Sequence, residues 1–242
     1  LKALDISDTV PGFPRRDHIE IHSDLSLLRL DQGNLDEAER MARDAFNDAA
    51  AVLDPEDPVR IATYQGLAIV HWEKGEMEEA EMLLRQCLEQ SERVLGSQNE
   101  DTMATVTALG NVLRQQDELE EAQPLLERAY AFNRVAVGED HPKSAIALNN
   151  LAFLYQQRQL HDQALEMFQR SLDSRRRTFG DESKSVVIGL NNLGLQLGTM
   201  GRGQEALPIL EEALAIAATG AVDPSHWLGS AIRCTYGKTL LG

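Results

Sequence analysis

The chain has few of the features that disulfide-rich, membrane-spanning or nucleic-acid-binding proteins need. Its 242 residues include only two cysteines, Cys87 and Cys234, too few for a disulfide framework and typical of a reducing, cytoplasmic setting. No stretch approaches the roughly 20 apolar residues that cross a bilayer, and the N-terminus does not resemble a signal peptide. With 23 Lys and Arg against 39 Asp and Glu, the net charge is −16. Because this charge repels phosphates and anionic lipids, we expect neither nucleic acid nor a membrane as partner, whereas a basic protein segment would be attracted.

Aromatic residues are also scarce, at 5% of the chain, and no run of residues has the alternation of a β-strand. Ala, Leu, Glu and Gln dominate instead, and these side chains lose little rotamer freedom in a helix. The composition therefore predicts an all-α protein.

A 42-residue repeat runs through the chain. Glu-Ala or Gln-Ala pairs place alanine at five evenly spaced positions: Ala38, Ala80, Ala122, Ala164 and Ala206. Counted from each alanine, the positions at offsets 4 and 8 are apolar and the position at offset 7 is small, such as Cys87 or Ser171. This spacing is typical of a helix face that packs closely on another helix, and it predicts that the Cys87 thiol is buried.

A second helical pattern precedes the first in every repeat. Its leucines are again 42 residues apart: Leu25, Leu67, Leu109, Leu151 and Leu193. A small residue follows each leucine and permits close helix packing. The turn between the two helices contains Gly33, Gly75 and Gly201, with Asp117 and Gln159 at the other two equivalent positions. Glycine suits the left-handed residue that ends many helices.

Helix-breaking segments rich in Gly, Pro and Asp separate the repeats, at 54–58, 96–97, 138–142 and 180–182. Asp or Ser in these segments can cap the helix that follows. Two prolines, Pro124 and Pro208, fall early in second helices, where we expect the missing N–H to cost least.

The pattern predicts five helix-turn-helix repeats within residues 17–225. Their boundaries are predicted at 17–57, 58–100, 101–141, 142–182 and 183–225. Residues 1–16 are interpreted as the tail of a preceding repeat and a linker, and 226–242 as the first helix of a sixth, truncated repeat. Truncated ends expose apolar faces, so self-association through them is a further expectation.

The repeat resembles the tetratricopeptide repeat of the 42-residue kinesin light chain type. The resemblance rests on the segments 138–142 (GEDHP) and 148–155 (LNNLAFLY), with 190–194 (LNNLG) repeating part of the second. It implies a right-handed superhelical solenoid of tandem helix-turn-helix repeats, in which the first helices line a concave groove that binds peptides.

The resemblance places the following residues in that groove: Gln65, Ile69, Trp72, Thr107, Asn111, Arg114, Asn149, Asn150, Phe153, Gln156, Asn191, Asn192 and Leu195. Asn and Gln carry both donors and acceptors, so they can bind an extended peptide backbone, and the apolar members would select side chains. Since Arg114 is the only cation at groove positions, a clamp for a C-terminal carboxylate is not expected. Acidic groove positions predict a basic portion in the partner: Glu20, Asp24, Asp31 and Glu73. In the alternative interpretation, the asparagines only brace neighbouring helices.

The candidate motifs for metal binding and for phosphate binding are both incomplete. His18 and His22 have a metal-ligand spacing, but Ile19 stands where a zinc-protease motif requires Glu. The segment 237–239 (GKT) resembles the end of a phosphate-binding loop, but Ile232 replaces the first glycine that such a loop needs. The run 175–177 of three arginines is interpreted as a solvated helix face. We therefore predict no enzyme activity, no cofactor and no metal.

The sequence thus predicts a non-catalytic protein–protein interaction module. The alternative is a sensor or autoregulatory tetratricopeptide region of a larger NLR-like signalling ATPase, a class in which this repeat type also occurs.

Overall fold

A computed structural model describes residues 14–221 and 227–241, and these ranges contain helices but no strand. The predicted all-α fold is therefore confirmed. The helices are α1 Arg15–Asp31, α2 Leu35–Val52, α3 Pro58–Lys74, α4 Met77–Val94, α5 Glu100–Gln115, α6 Leu119–Ala136, α7 Pro142–Gln157, α8 His161–Phe179, α9 Lys184–Thr199, α10 Gly203–Ile216 and α11 Trp227–Leu241. A π-helical segment, Ala217–Ala221, follows α10. We call the odd-numbered helices first helices and the even-numbered ones second helices.

The chain divides into two compact units, residues 1–125 and 126–242. In the first unit each helix from α1 to α4 packs against the next one along the chain, and the first helix α1 also contacts α3. In the second unit the helices from α7 to α11 pack in the same sequential way, and α9 contacts α11. Packing of each helical hairpin only on its neighbours is the arrangement of a solenoid. Residues 1–13, most of the segment interpreted as the tail of a preceding repeat, lie outside the described residues.

Four first helices begin at a side-chain cap, and these caps are themselves 42 residues apart. Asp57 accepts a hydrogen bond from the Val59 N–H at 2.9 Å, and Asn99 accepts one from the Asp101 N–H at 2.8 Å. The other two caps are His141 and Ser183. Each cap satisfies a backbone N–H that has no partner inside the helix. The predicted start signals are therefore present, with Asn and His serving beside Asp and Ser.

The turn inside each repeat contains one residue with a left-handed backbone, as the glycines predicted. Gly33, Gly75 and Gly201 have φ of 77°, 81° and 71°. The two equivalent non-glycine residues, Asp117 and Gln159, adopt the same conformation, with φ of 67° and 59°. After each of these residues the next N–H bonds back to the carbonyl five residues earlier; the Leu160 N–H, for example, lies 2.8 Å from the Tyr155 oxygen. This bond closes the helix end.

The predicted packing ridges form the core. All five repeat alanines, from Ala38 to Ala206, are fully buried. Cys87 is a buried free thiol, as predicted. The small residue after each ridge leucine allows close packing: a Cβ added at Gly194 would lie 2.5 Å from Leu210 Cδ2. The positions at offset 8 contribute less than predicted, since Leu172 is fully buried but its four equivalents are only half-buried.

Two interpretations of the sequence need correction. Arg175 does not lie on a solvated face: it is buried, and its Nη1 donates to the Ser185 hydroxyl at 2.8 Å, which compensates for burial of the charge. Pro124 and Pro208 are each the sixth residue of their helix, beyond the residues whose N–H lacks a partner. Each proline therefore removes a hydrogen bond to the carbonyl four residues before it.

Candidate functional site

The predicted groove residues of the first unit lie on α3 and α5, and we call them the first-unit face: Gln65, Ile69, Trp72, Thr107, Asn111 and Arg114. All are half-buried except Asn111, which is 9% exposed. The Trp72 Nε1–H donates to Gln115 Oε1 at 3.0 Å, so the indole is held between two successive first helices. An indole fixed in this way presents apolar surface without having to be ordered on binding.

The polar groups on the first-unit face differ in their hydrogen bonding and burial. The Thr107 hydroxyl donates to the Met103 carbonyl of its own helix at 2.8 Å. Asn111 Oδ1 is buried, and the described residues provide it with no hydrogen-bond partner. Arg114 is half-buried, and this burial lowers the pKa of its guanidinium below the ordinary value.

The acidic residues predicted to attract a basic partner are on α1 and α3 and are all exposed. Glu20 accepts a hydrogen bond from Arg16 Nε at 3.3 Å. Among the described residues, no ion pair is seen for Asp24, Asp31 or Glu73.

The predicted groove residues of the second unit lie on α7 and α9, and we call them the second-unit face: Asn149, Asn150, Phe153, Gln156, Asn191, Asn192 and Leu195. Hydrogen bonds link this face across successive first helices. Asn192 Nδ2 donates to Asn149 Oδ1 at 2.9 Å, and Gln156 Nε2 donates to Gln196 Oε1 at 2.8 Å. These bonds supply the bracing of the alternative interpretation.

Bracing leaves part of each amide free. The bond between Asn149 and Asn192 uses one amide N–H and one amide oxygen. The remaining Nδ2 hydrogens of Asn149 and the Oδ1 of Asn192 have no hydrogen bond to the described residues. One amide therefore keeps donor hydrogens and the other keeps an acceptor oxygen, the two kinds of group that a peptide unit requires.

Apolar side chains lie on the same face. The Phe153 ring meets the Phe168 ring edge to face, with centroids 5.1 Å apart, and is half-buried. Leu195 is 38% exposed. Leu195 and Thr235 contribute to a cavity of about 280 Å³ between α9 and α11.

Three further residues bond to this set: Gln115, which also occupies a predicted groove position, and Gln196 and Thr235, which the prediction omits. Thr235 donates to Asn191 Oδ1 at 3.3 Å. Gln196 is fully buried and also donates to the His161 carbonyl at 3.1 Å. The spacing of these bonds, 40 to 44 residues, reflects the repeat length, so pairs of polar residues about one repeat apart could have identified them.

Residues 14–221 and 227–241 contain no cluster of His, Cys, Asp and Glu arranged to hold a metal ion. The rings of His18 and His22 stack with centroids 4.2 Å apart. Nor does any described helix combine the length and apolarity that a bilayer crossing demands.

A family model for the tetratricopeptide repeat matches the chain at residues 17–93, 62–134, 101–177 and 143–219. No curated protein sequence matches significantly.

Several solved structures share the fold. The nearly identical TPR-like repeats of a kinesin light chain protein from Podosopora anserina are 24% identical, with 86% of this chain and 99% of that one covered at a TM-score of 0.72. BtubC (BKLC) from P. vanneervenii is 23% identical, with 93% and 89% covered at 0.74. MamA from Desulfovibrio magneticus RS-1 is 16% identical, with 83% and 96% covered at 0.56. Since the family model also matches most of its length, the chain belongs to the tetratricopeptide repeat family.

Proposed function

We propose that the chain is a non-catalytic module that binds a peptide or partner segment on the faces of its first helices. Membership of the tetratricopeptide repeat family supports protein interaction as the general role, since such repeats serve as interaction scaffolds. The observation that carries the finer proposal is the braced pair Asn149 and Asn192, which keeps one donor and one acceptor free. Pre-ordered amides can bind a peptide backbone with little further loss of entropy.

The proposed ligand contains basic residues. Asp24, Asp31 and Glu73 are exposed on the first-helix side of unit one, and the whole chain has a net charge of −16. Such a field speeds association with cationic segments and weakens as salt is added. We place this interaction in the cytoplasm, where free thiols such as Cys87 and Cys234 stay reduced.

The substitution Asn149→Asp tests peptide binding separately from the hydrogen bond that joins α7 to α9. It keeps an oxygen that can accept from Asn192, but it removes the free Nδ2 donor. Fluorescence anisotropy with a panel of synthetic 15-residue peptides, neutral and Lys-rich, would measure affinity. For neutral peptides that bind the wild type we expect a loss of about five-fold, the value of one hydrogen bond, with an unchanged melting temperature.

Substitution of the exposed turn residue Gln98 by Ala is the matched control and should change nothing. If Asn149→Asp binds every peptide as the wild type does, the asparagines serve only to brace the helices. For Lys-rich peptides, Asp24→Asn with Glu73→Gln should weaken binding and flatten its salt dependence. If the tight ligand proves to be a segment of the same gene product, the alternative sensor role in a larger signalling ATPase is favoured.

A further inference from the structure

An open cleft separates the second helices α8 and α10 and is distinct from both first-helix faces. Its volume is about 750 Å³. Leu193 and Leu197 of α9 form its floor, and Leu165, Pro208 and Ile209 form its walls. The polar rim comes from the start of α8 and of α10. An apolar cleft with a charged rim has the anatomy of a protein-interaction site.

The equivalent space is bridged by polar contacts at two places in the first unit. At the position 126 residues before Leu165, Glu39 binds Lys74 Nζ at 2.5 Å. At the position 84 residues before it, Glu81 accepts a hydrogen bond from Gln116 Nε2 at 2.9 Å. The residue equivalent to Lys74 and Gln116 is Met200. The acid and its polar partner of these two repeats are replaced by Leu165 and Met200, which cannot form such a bridge.

A second bridge is also missing. Arg85 of α4 binds Glu121 of α6 at 2.9 Å and so joins two successive second helices. The equivalent residues on α8 and α10 are Gln169 and Glu205. Gln169 donates instead to Asp173 on its own helix. The two polar bridges that cross this space between α4 and α6 are thus both absent between α8 and α10, which leaves the cleft open.

We propose that the cleft between α8 and α10 binds a segment of a partner protein that inserts bulky apolar side chains and carries Lys or Arg beside them. The rim favours cations because its own arginines are already neutralised. Arg170 binds Glu139 at 2.5 Å, and Arg202 binds Glu205 at 2.7 Å. Asp162 shows no ion pair with the described residues, and Glu166 lies 3.7 Å from Arg170. The remaining rim charge is negative.

The backbone of α10 contains one carbonyl that lacks its usual helical donor. Pro208 has no N–H, so it cannot bond to the carbonyl of Gln204, four residues earlier. Both residues line the cleft. A peptide N–H that reaches this carbonyl would restore a hydrogen bond that the helix lacks.

The test uses three synthetic 14-residue peptides. The first has two leucines flanked by lysines, the second has glutamates in place of the lysines, and the third has serines in place of the leucines. Titration into protein with labelled methyl groups should give shifts at Leu165 and Ile209 with the first peptide. We expect binding at least about ten-fold weaker for the other two, since each loses one of the two complementary features.

The decisive comparison is a triple variant that introduces the polar bridges of the first unit into the cleft. The substitutions Leu165→Glu, Met200→Gln and Gln169→Arg place the residue types of Glu81, Gln116 and Arg85 at the equivalent positions. The triple variant should fold stably and bind the first peptide at least about ten-fold more weakly. If the triple variant does not fold, Pro208→Arg replaces an apolar residue of the cleft wall by a cation at an exposed position. It should also weaken binding of the first peptide. Asn149→Asp should leave this binding unchanged, so failure here is distinguishable from failure of the first-helix proposal.

Three results would overturn the proposal. The first is that none of the peptides binds. The second is equal binding by the wild type and the cleft variants. The third is that the cleft methyl groups shift with protein concentration alone, in which case a second copy of the chain occupies the cleft.

Discussion

Gln159 adopts a backbone conformation that glycine adopts at three of the four equivalent turns. Its φ is 59°, in the left-handed region where an L side chain costs roughly 1–2 kcal/mol. The neighbouring Schellman-type bond, from the Leu160 N–H to the Tyr155 oxygen, holds it there. The helix end therefore forms at the expense of local strain, which only the surrounding hydrogen bonds and packing compensate.

We expect Gln159→Gly to raise the free energy of unfolding by about 1 kcal/mol, because relief of strain exceeds the extra freedom that glycine gives the unfolded chain. Urea denaturation followed by circular dichroism measures the change. The reverse substitution at the equivalent turn, Gly75→Gln, should lower the midpoint by a similar amount. An unchanged midpoint for Gln159→Gly would show that the relief of strain only balances the extra freedom of the unfolded chain, and a lower midpoint would show that the turn carries no strain.

At the scale of residues, the sequence predicted which positions adopt a given backbone conformation better than it predicted which side chains contact each other. Regular spacing predicted the left-handed turn at Gln159 because glycines mark its equivalents. It could not predict that Asn149 would bond to Asn192, or that Arg175 would be buried against Ser185. Those outcomes depend on which side chains meet across neighbouring helices, and a single-residue pattern does not contain that information.

At the scale of elements, a charged network joins α2 to the end of α3. The Lys74 ammonium and the Arg43 guanidinium hold the pKa of Glu39 at about 2, below its ordinary value of 4.5. Glu76, which binds both Lys74 and His71, likewise has a lowered pKa. His71 is buried and its Nδ1 lies 2.5 Å from Glu76 Oε2. These contacts tie the first hairpin to the second.

Since the pKa of Glu39 is lowered on folding, its ionisation stabilises the folded state above the ordinary pKa, and this contribution is lost as the pH falls from 4.5 towards 2. We expect Glu39→Gln to lose about 1 kcal/mol or less at pH 7, because the network is partly exposed to solvent. Thermal melts at pH 7 and in steps from pH 5 to about pH 2 should show the difference from wild type shrinking to zero.

Glu89→Gln, at an exposed carboxylate outside the first turn of α4, is the control and should behave like wild type throughout. If the Glu39→Gln difference stays constant across the acid range, the network does not act through ionisation of Glu39.

The helices themselves were predictable because their determinants are local and recur every 42 residues. Asp57 and Ser183 are recognisable cap residues, and the buried alanines define one face of each second helix. The cleft between α8 and α10 was not predicted, although its cause is visible in the sequence. Its opening depends on the loss of paired contacts, such as Glu81 with Gln116, and these pairs are recognisable only once their partners are known.

At the scale of the whole molecule, sequential packing implies that a local defect stays local. Helices in each unit contact mainly their neighbours along the chain, so stability is close to a sum of repeat and neighbour terms. Exchange of backbone amides then reports each region separately. The close approach of α9 and α10 at Gly194 offers a defined place to introduce such a defect.

An alanine at Gly194 would bring its Cβ within 2.5 Å of Leu210 Cδ2 and 2.7 Å of its Cγ. Because Leu210 is fully buried and cannot move away freely, we expect a loss of about 1–3 kcal/mol. Hydrogen exchange should accelerate in α9 and α10 and stay unchanged in α1 to α3. Gly237→Ala on α11 is the matched control, since its Cβ meets nothing within 4 Å and alanine favours a helix. Faster exchange from α1 to α10 in Gly194→Ala would instead show that the chain unfolds as a single cooperative body, because strain at one hairpin would then lower the stability of every other.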